Sequence, residues 1–351
     1  MRRHLFALIA FVALPALVFA QDVPKYPAPA EVRASFKKLL DRPKVALDAK
    51  VTATKSLGDG LVLETLSFAT EKNADGSIEC VPTILLRPEK VSGRMPAVIV
   101  LHGTGGNKDS QLGFMKELAK RKIIGIAIDA RYHGGRAGIG YQKAITKAWQ
   151  TKAGEPMEHP FYYDTVWDLW KLVDYLETRD DIDAKNLGMI GFSMGGIQTY
   201  LAASVDERVK VSVPAIAVQS FRWSLDNDRW QGRANTIRAA HAQAAKDLGE
   251  PMVNQKVCRA LWNKIVPGIT DEFDCPSMLR LCAGRPLLIL SGTMDGNCPY
   301  EGAKIAIASV ERAYKDAKAS DRLSVMIEPV GHTVTAKQRT AALDWFERWL
   351  K

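Results

Sequence analysis

The chain has 351 residues, 47% of them hydrophobic and 25% charged, with a formal net charge of +9 at pH 7. That length suits one large α/β domain or two small ones, and that balance supports a sizeable buried core and excludes a disordered chain. The basic residues are scattered rather than gathered into an arm or stripe, which argues against nucleic acid as a partner and leaves a mildly basic surface.

Met1–Ala20 reads as a secretory signal. Arg2, Arg3 and His4 form a positive head, Leu5–Val18 is apolar apart from Pro15, and Val18-Phe19-Ala20 offers a cleavage site before Gln21. The chain is therefore expected to be exported, to the periplasm or beyond, by either the general or the twin-arginine route. No later stretch approaches the ~20 apolar residues of a membrane span, and no cysteine at the cleavage site suggests a lipid anchor. The five cysteines, Cys80, Cys258, Cys275, Cys282 and Cys298, are odd in number and lack zinc-ligand spacing. One disulfide among Cys258, Cys275 and Cys282 and a set of buried free thiols are both open.

In chain order, Glu31–Leu40 has helical apolar spacing and is expected to cover part of a sheet. Val51–Thr70 and Glu79–Arg87, separated by the turn signal Asn73-Ala74-Asp75-Gly76, predict antiparallel strands. Ala97–Leu101 and Ile123–Asp129 are continuous apolar runs that suit strands buried on both faces. Each ends in a glycine-bearing loop, His102–Gly106 and Arg131–Gly135. Gln111–Arg121 between them is helical, as is Tyr162–Glu177. A strand then leads to Gly191-Phe192-Ser193-Met194-Gly195-Gly196, and Val209–Val218 is the next apolar strand.

Residues 220–285 break this rhythm. The segment is long for a crossover, mostly helical in pattern, and carries Phe221, Trp223, Trp230 and Trp262, so it is expected to form a cap insertion whose aromatics either pack its core or wall a cleft. Pro286–Ser291 resumes the sheet and ends in Gly292–Asn297. Arg322–Pro329 is the last strand, followed by Gly331-His332 and a closing helix over Thr335–Leu350. Repeated strand–helix–strand alternation predicts an α/β fold with a mostly parallel central sheet and helices on both faces.

Three loops carry the chemistry. Ser193 lies between Gly191 and Gly195 at the spacing of a tight strand-to-helix turn that exposes a nucleophile. Asp295 and His332 also follow strands, so in a parallel sheet all three emerge at one edge. The order Ser, acid, His differs from that of trypsin-like and subtilisin-like enzymes. His332 is the expected general base, Asp295 its orienting partner, and the Met194 and Thr104 amides the oxyanion donors. Asp226 and Asp228 are rival acids, less favoured because Asp295 sits in a tight loop directly after its strand. His102 is expected to support its loop, His133 to line a cleft entrance or bond backbone, and Arg131 to hold its loop by a salt bridge. No phosphate loop, carboxylate cluster or metal-ligand spacing occurs, so no metal or organic cofactor is expected.

On LHGTGG at Leu101–Gly106, DARYHGG at Asp129–Gly135, GFSMGG at Gly191–Gly196, SGTMDGNCP at Ser291–Pro299 and GHTVT at Gly331–Thr335, the chain resembles the α/β-hydrolase superfamily. Within it, the resemblance is to secreted esterases of the dienelactone-hydrolase, acetyl xylan esterase and prolyl-oligopeptidase type, over about Ile84 to Lys351. It departs from the first in having serine for cysteine at 193, and from the last in lacking room for a propeller before Ile84. The resemblance implies an ester of a small alcohol or carbohydrate as substrate. A peptidase of short peptides and a catalytically silent binding fold are the alternatives, and the oligomeric state is open.

Overall fold

The computed structural model describes residues 24–90 and 93–351, so the expected signal segment 1–20 lies outside the described residues. The first described element is α1 (Pro29–Leu39), started by a proline that needs no helical partner for its missing N–H. Its Val32 and Phe36 are one turn apart and buried, with Phe36 edge-on to Tyr163, Trp170 and Phe273. That face meets helices of the next layer, not the strands the sequence led us to expect beneath it.

Three antiparallel strands follow, β1 (Lys50–Gly58), β2 (Leu61–Lys72) and β3 (Ile78–Pro88). β2 and β3 are joined by the Asn73–Gly76 turn, closed by Gly76 N–H donating to Asn73 O at 2.9 Å. β1 is exposed along almost its whole length, and Lys50 and Lys55 on this edge discourage a further strand from pairing. Next come β4 (Met95–Leu101), α2 (Leu112–Lys120), β5 (Ile124–Ile128), α3 (Tyr141–Gln150), α4 (Tyr163–Leu176), β6 (Ile182–Phe192), α5 (Met194–Val205) and β7 (Val209–Ala215). Five helices then intervene: α6 (Phe221–Asp226), α7 (Gln231–Asn235), α8 (Arg238–Asp247), α9 (Gln255–Ile265) and α10 (Cys275–Leu279). The chain closes with β8 (Leu287–Gly292), α11 (Tyr300–Asp316), β9 (Leu323–Glu328) and α12 (Ala336–Leu350).

Among the described residues nine strands form one sheet in the order β1-β2-β3-β5-β4-β6-β7-β8-β9. β5 is antiparallel to β3, and β4 to β9 all run parallel to one another. The apolar runs of β4, β5 and β8 are buried because helices cover both faces. On one face α2 and α12 contribute Phe114, Met115, Leu118, Leu343 and Phe346; on the other, α4, α5 and α11 build the larger core.

The stretch between β7 and β8 divides. α8 and α9 pack against α3, with Gln142 Nε2 donating to Thr236 O at 2.7 Å and Trp149 Nε1 to Asp247 Oδ2 at 2.9 Å. α10 instead joins the helix layer against α5 and α11. Trp262 and Phe221 are interior residues, whereas Trp223 and Trp230 are half-buried. All five cysteines are free thiols, with Cys258, Cys275, Cys282 and Cys298 buried.

Candidate active site

β6 runs into α5 with a single residue between them. Ser193 has φ +55° and ψ −112°, a left-handed conformation that costs a non-glycine residue roughly 1–3 kcal/mol and persists only where its surroundings enforce it. Two of those surroundings are glycines. A Cβ on Gly191 would lie 2.1 Å from Gly195 O, and one on Gly195 would lie 2.7 Å from His102 O. Ser193 N–H donates to Ala215 O at 2.9 Å, tying the turn to the end of β7.

The acid and the base come from the next two strand ends. Thr293 N–H donates to Glu328 O and Met294 N–H to Val330 O, both at 3.0 Å, so the loop after β8 is stitched to the loop after β9. Asp295 is 4% exposed, and its Oδ1 accepts from the Asn297 and Cys298 amides at 2.8 and 2.9 Å. Its Oδ2 faces His332 Nδ1 at 2.8 Å, and His332 Nε2 lies 2.7 Å from Ser193 Oγ. A carboxylate can only accept, so the imidazole proton belongs on Nδ1 and the Nε2 lone pair points at the serine hydroxyl. This arrangement can take the proton of Ser193 and stabilise the imidazolium that results.

α12 helps to fix that geometry. Thr335 caps it through a reciprocal pair with Gln338, whose Nε2 also donates to Ser291 O at 3.0 Å, anchoring the helix to β8 two residues before the acid loop begins its turn.

The Met194 amide is the first of α5, where the helix leaves N–H groups free of internal partners and favours negative charge. Opposite it, the His102–Gly106 turn closes through Gly106 N–H to Gly103 O at 3.0 Å. This turn runs against the serine: a Cβ on Gly103 would be 3.6 Å from that of Ser193. His102 supports the turn from within. Its Nδ1 donates to Gly103 O at 2.8 Å and its Nε2 accepts the Ala130 amide at 3.1 Å, while burial lowers its pKa and keeps the ring neutral.

Asp129, which sequence reasoning passed over, joins this turn to the following loop. Its carboxylate accepts the Lys108 amide at 2.8 Å, Lys108 Nζ at 3.0 Å and the Gly135 amide at 2.9 Å. Arg131 is held by Asp168 and Glu71. The rival acids are elsewhere: Asp226 is exposed and paired with Arg259, and Asp228, also exposed, accepts from Trp230.

Asp295, Cys298 and His332 offer atoms within 4.8 Å of one another, the spacing of a metal site. The donors do not fit one. Both Asp295 oxygens and both His332 nitrogens already have partners, and Arg233 Nη2 sits 3.0 Å from Cys298 Sγ, a cation already at the thiol.

A mostly parallel sheet covered on both faces, with serine, aspartate and histidine meeting at the carboxyl ends of its strands, defines the α/β-hydrolase fold, and the chain has it. The family described as "alpha/beta hydrolase fold" matches residues 96–238. The chain is 26% identical over 285 residues to "Putative hydrolase YtaP" of Bacillus subtilis, spanning 78% of this chain and 84% of that one. Among solved structures it is similar to acetyl xylan esterase 1 from Thermoanaerobacterium sp., with TM-score 0.65 and 16% identity over 94% of this chain and 96% of that one. It is also similar to a glucuronoyl esterase from Solibacter usitatus, with TM-score 0.63 and 15% identity over 92% and 91% of the two chains.

Proposed function

We propose that this chain is an exported serine hydrolase that cleaves carboxylic esters with short acyl groups through an acyl-enzyme. The observation that carries the reading is the continuous contact from Asp295 through His332 to Ser193 Oγ, at 2.8 and 2.7 Å. As Ser193 attacks the ester carbonyl, His332 Nε2 takes its proton and Asp295 stabilises the charged ring. The Met194 and Thr104 amides receive the oxyanion. His332 then protonates the leaving alcohol, and a water activated by the same nitrogen releases the acid. The scheme calls for no metal or organic cofactor. Ester chemistry, acetyl esters of carbohydrate included, is supported by the names of the acetyl xylan and glucuronoyl esterases to which the fold is similar.

The test is hydrolysis of 4-nitrophenyl acetate, butyrate and octanoate by wild type and Ser193→Ala, with fluorophosphonate labelling of both. We expect acetate to be the fastest, the variant to lose at least roughly a thousandfold in rate, and labelling to vanish with the hydroxyl. Equal rates in the two proteins, or no labelling of wild type, would leave the fold as a binding protein. Export is checked by the mass of the protein recovered outside the cytoplasm, expected to begin at Gln21.

A further inference from the structure

One buried cation reaches the acid loop from the inserted segment. Arg233 lies on α7 and is only 1% exposed, without an ion-pair partner among the described residues. Its guanidinium sits over the Phe221 ring, 5.9 Å from the centroid. Every hydrogen bond it donates to a described residue goes to the loop that carries Asp295: Nη2 donates to Asn297 O at 3.3 Å and to Cys298 Sγ at 3.0 Å. Burying a guanidinium without a carboxylate partner is costly, and an apolar side chain would fill the same space at less cost.

The helix that bears Arg233 is pressed against the same loop. A Cβ on Gly232 would lie 2.1 Å from Gly296 O and 2.8 Å from Asn297 Oδ1, so α7 and the loop meet without room for a side chain between them.

Two connections run from this contact into the catalytic groups. The first is a single peptide. Arg233 binds the oxygen of the peptide joining Asn297 to Cys298, and the N–H of that same peptide donates to Asp295 Oδ1 at 2.9 Å. A cation on the oxygen strengthens the N–H as a donor, and because the unit is planar it also fixes where that N–H points. The second runs through the thiol. Burial pushes the Cys298 pKa up to about 12, so the group stays protonated; it accepts from Arg233 and donates to Ile216 O at 3.3 Å. Ile216 follows Ala215, whose carbonyl holds the Ser193 amide. The guanidinium thus braces the acid loop against the strand end that supports the nucleophile. Burial opposes its charge, and the groups that favour it are Tyr162, Cys298, Tyr200 and Asp295, of which Asp295 is the only carboxylate.

Resting on the esterase reading, we infer that Arg233 is a positioning residue for the reaction: through the peptide between Asn297 and Cys298 it holds the Asp295 carboxylate in line with His332 Nδ1. Arg233 touches no reacting atom, so it acts only while Asp295 is there to be held.

A double-mutant cycle on the whole protein tests this. Arg233→Met keeps apolar bulk without the charge or the donors. In single turnover of 4-nitrophenyl acetate with protein in excess, it should slow acylation roughly tenfold to a hundredfold, the worth of hydrogen bonds from a charged group, with little change in the half-saturating concentration. In an Asp295→Ala background, Arg233→Met should cost less than about threefold further, because the carboxylate it positions is gone. A merely structural Arg233 would cost the same factor in both backgrounds, and that result overturns the inference, as does an Arg233→Met no slower than wild type. Thermal unfolding of each variant is followed in parallel. Should Arg233→Met fail to fold, Arg233→Gln, which loses the charge but keeps an amide donor, takes its place in the cycle. Fluorophosphonate labelling keeps the two readings apart. A wild type that is labelled and hydrolyses the ester while the cycle shows no coupling defeats the inference alone; a wild type that does neither defeats the hydrolase reading itself.

Discussion

At the scale of single residues, the elbow stores strain that its glycines make possible. Replacing Gly191 by alanine sets a Cβ 2.1 Å from Gly195 O, with backbone rather than a flexible side chain in the way. Relief requires the turn to open, which moves Ser193 from His332. We expect Gly191→Ala to lose about 3 kcal/mol of stability, as overpacking does, and nearly all esterase activity. Gly113→Ala is the control, since nothing lies within 4 Å of its Cβ and it sits in the first turn of α2; it should be neutral or gain up to about 1 kcal/mol. Urea unfolding of the two variants distinguishes a steric elbow from a general intolerance of alanine. The convergence of Ser193, Asp295 and His332 was legible in sequence because each follows an apolar run within a glycine-marked loop. Asp129 was not, because its partners Lys108 and Gly135 lie 21 residues before and 6 residues after it, and nothing local marks the pairing. The Asn297 and Cys298 amides that hold Asp295 are backbone groups, which residue type does not reveal.

At the scale of elements, continuous apolar runs mark the strands plainly in the sequence, and two helices are marked less plainly. α3 buries Tyr141, Ala144, Ile145, Ala148 and Trp149, a spacing of three and four that is helical on its face; its first residue follows a run of glycines that reads as loop. α11 carries the same spacing in Ala303, Ala306, Ile307 and Val310, but small alanines make its apolar face faint. The 220–285 segment is one insertion in the sequence, and only packing separates α8 and α9, which lean on α3, from α10, which joins the main helix layer. α8 and α9 are joined by a polar contact with a consequence for stability. Trp262 Nε1 donates to His241 Nε2 at 3.0 Å, and His241 Nδ1 donates to Ile237 O at 3.1 Å, so the ring is held neutral in a buried position. Burial pushes its pKa down to about 4. A histidine depressed in the folded state stabilises the protein fully above its unfolded pKa of about 6.5, and that stability is lost as pH falls from there through 4. The loss amounts to at most about 3 kcal/mol, on the scale of about 1.4 kcal/mol per pH unit. His241→Gln, whose amide oxygen can still accept from Trp262, should be less stable than wild type at pH 7 but decline less between pH 7 and pH 4.5. Denaturant midpoints measured across that range give the slopes, and parallel slopes would show that His241 is not the group responsible.

At the scale of the whole molecule, a buried lattice of charge joins the antiparallel half of the sheet to the half that bears the reactive groups. Glu71 on β2 and Glu79 on β3 reach Arg131 and Arg136 on the loop after β5, both arginines bind Asp168 on α4, and Arg42 ahead of β1 links Glu71 to Asp164. The sequence suggested a salt bridge for Arg131, but the lattice draws on five separate segments and becomes visible only when they are assembled. Burial pushes the Asp168 carboxyl up, yet Arg131 and Arg136 outweigh it and hold the group well below the usual carboxylate range. Asp168→Asn keeps the size and removes the charge, leaving two guanidiniums with less compensation in a dry site. Breaking a buried pair from one side costs about 3–5 kcal/mol, where an exposed pair such as Lys337–Glu328 is worth no more than about 1 kcal/mol. We therefore expect Asp168→Asn to lower the urea midpoint sharply and Lys337→Ala to leave it nearly unchanged. Because Arg131 and Arg136 lie on the loop that Asp129 ties to Lys108, just after the His102–Gly106 turn, the variant should also slow hydrolysis of 4-nitrophenyl acetate at temperatures where the fold survives. A rate that stayed intact there would mean that the lattice stabilises the fold without holding the loop.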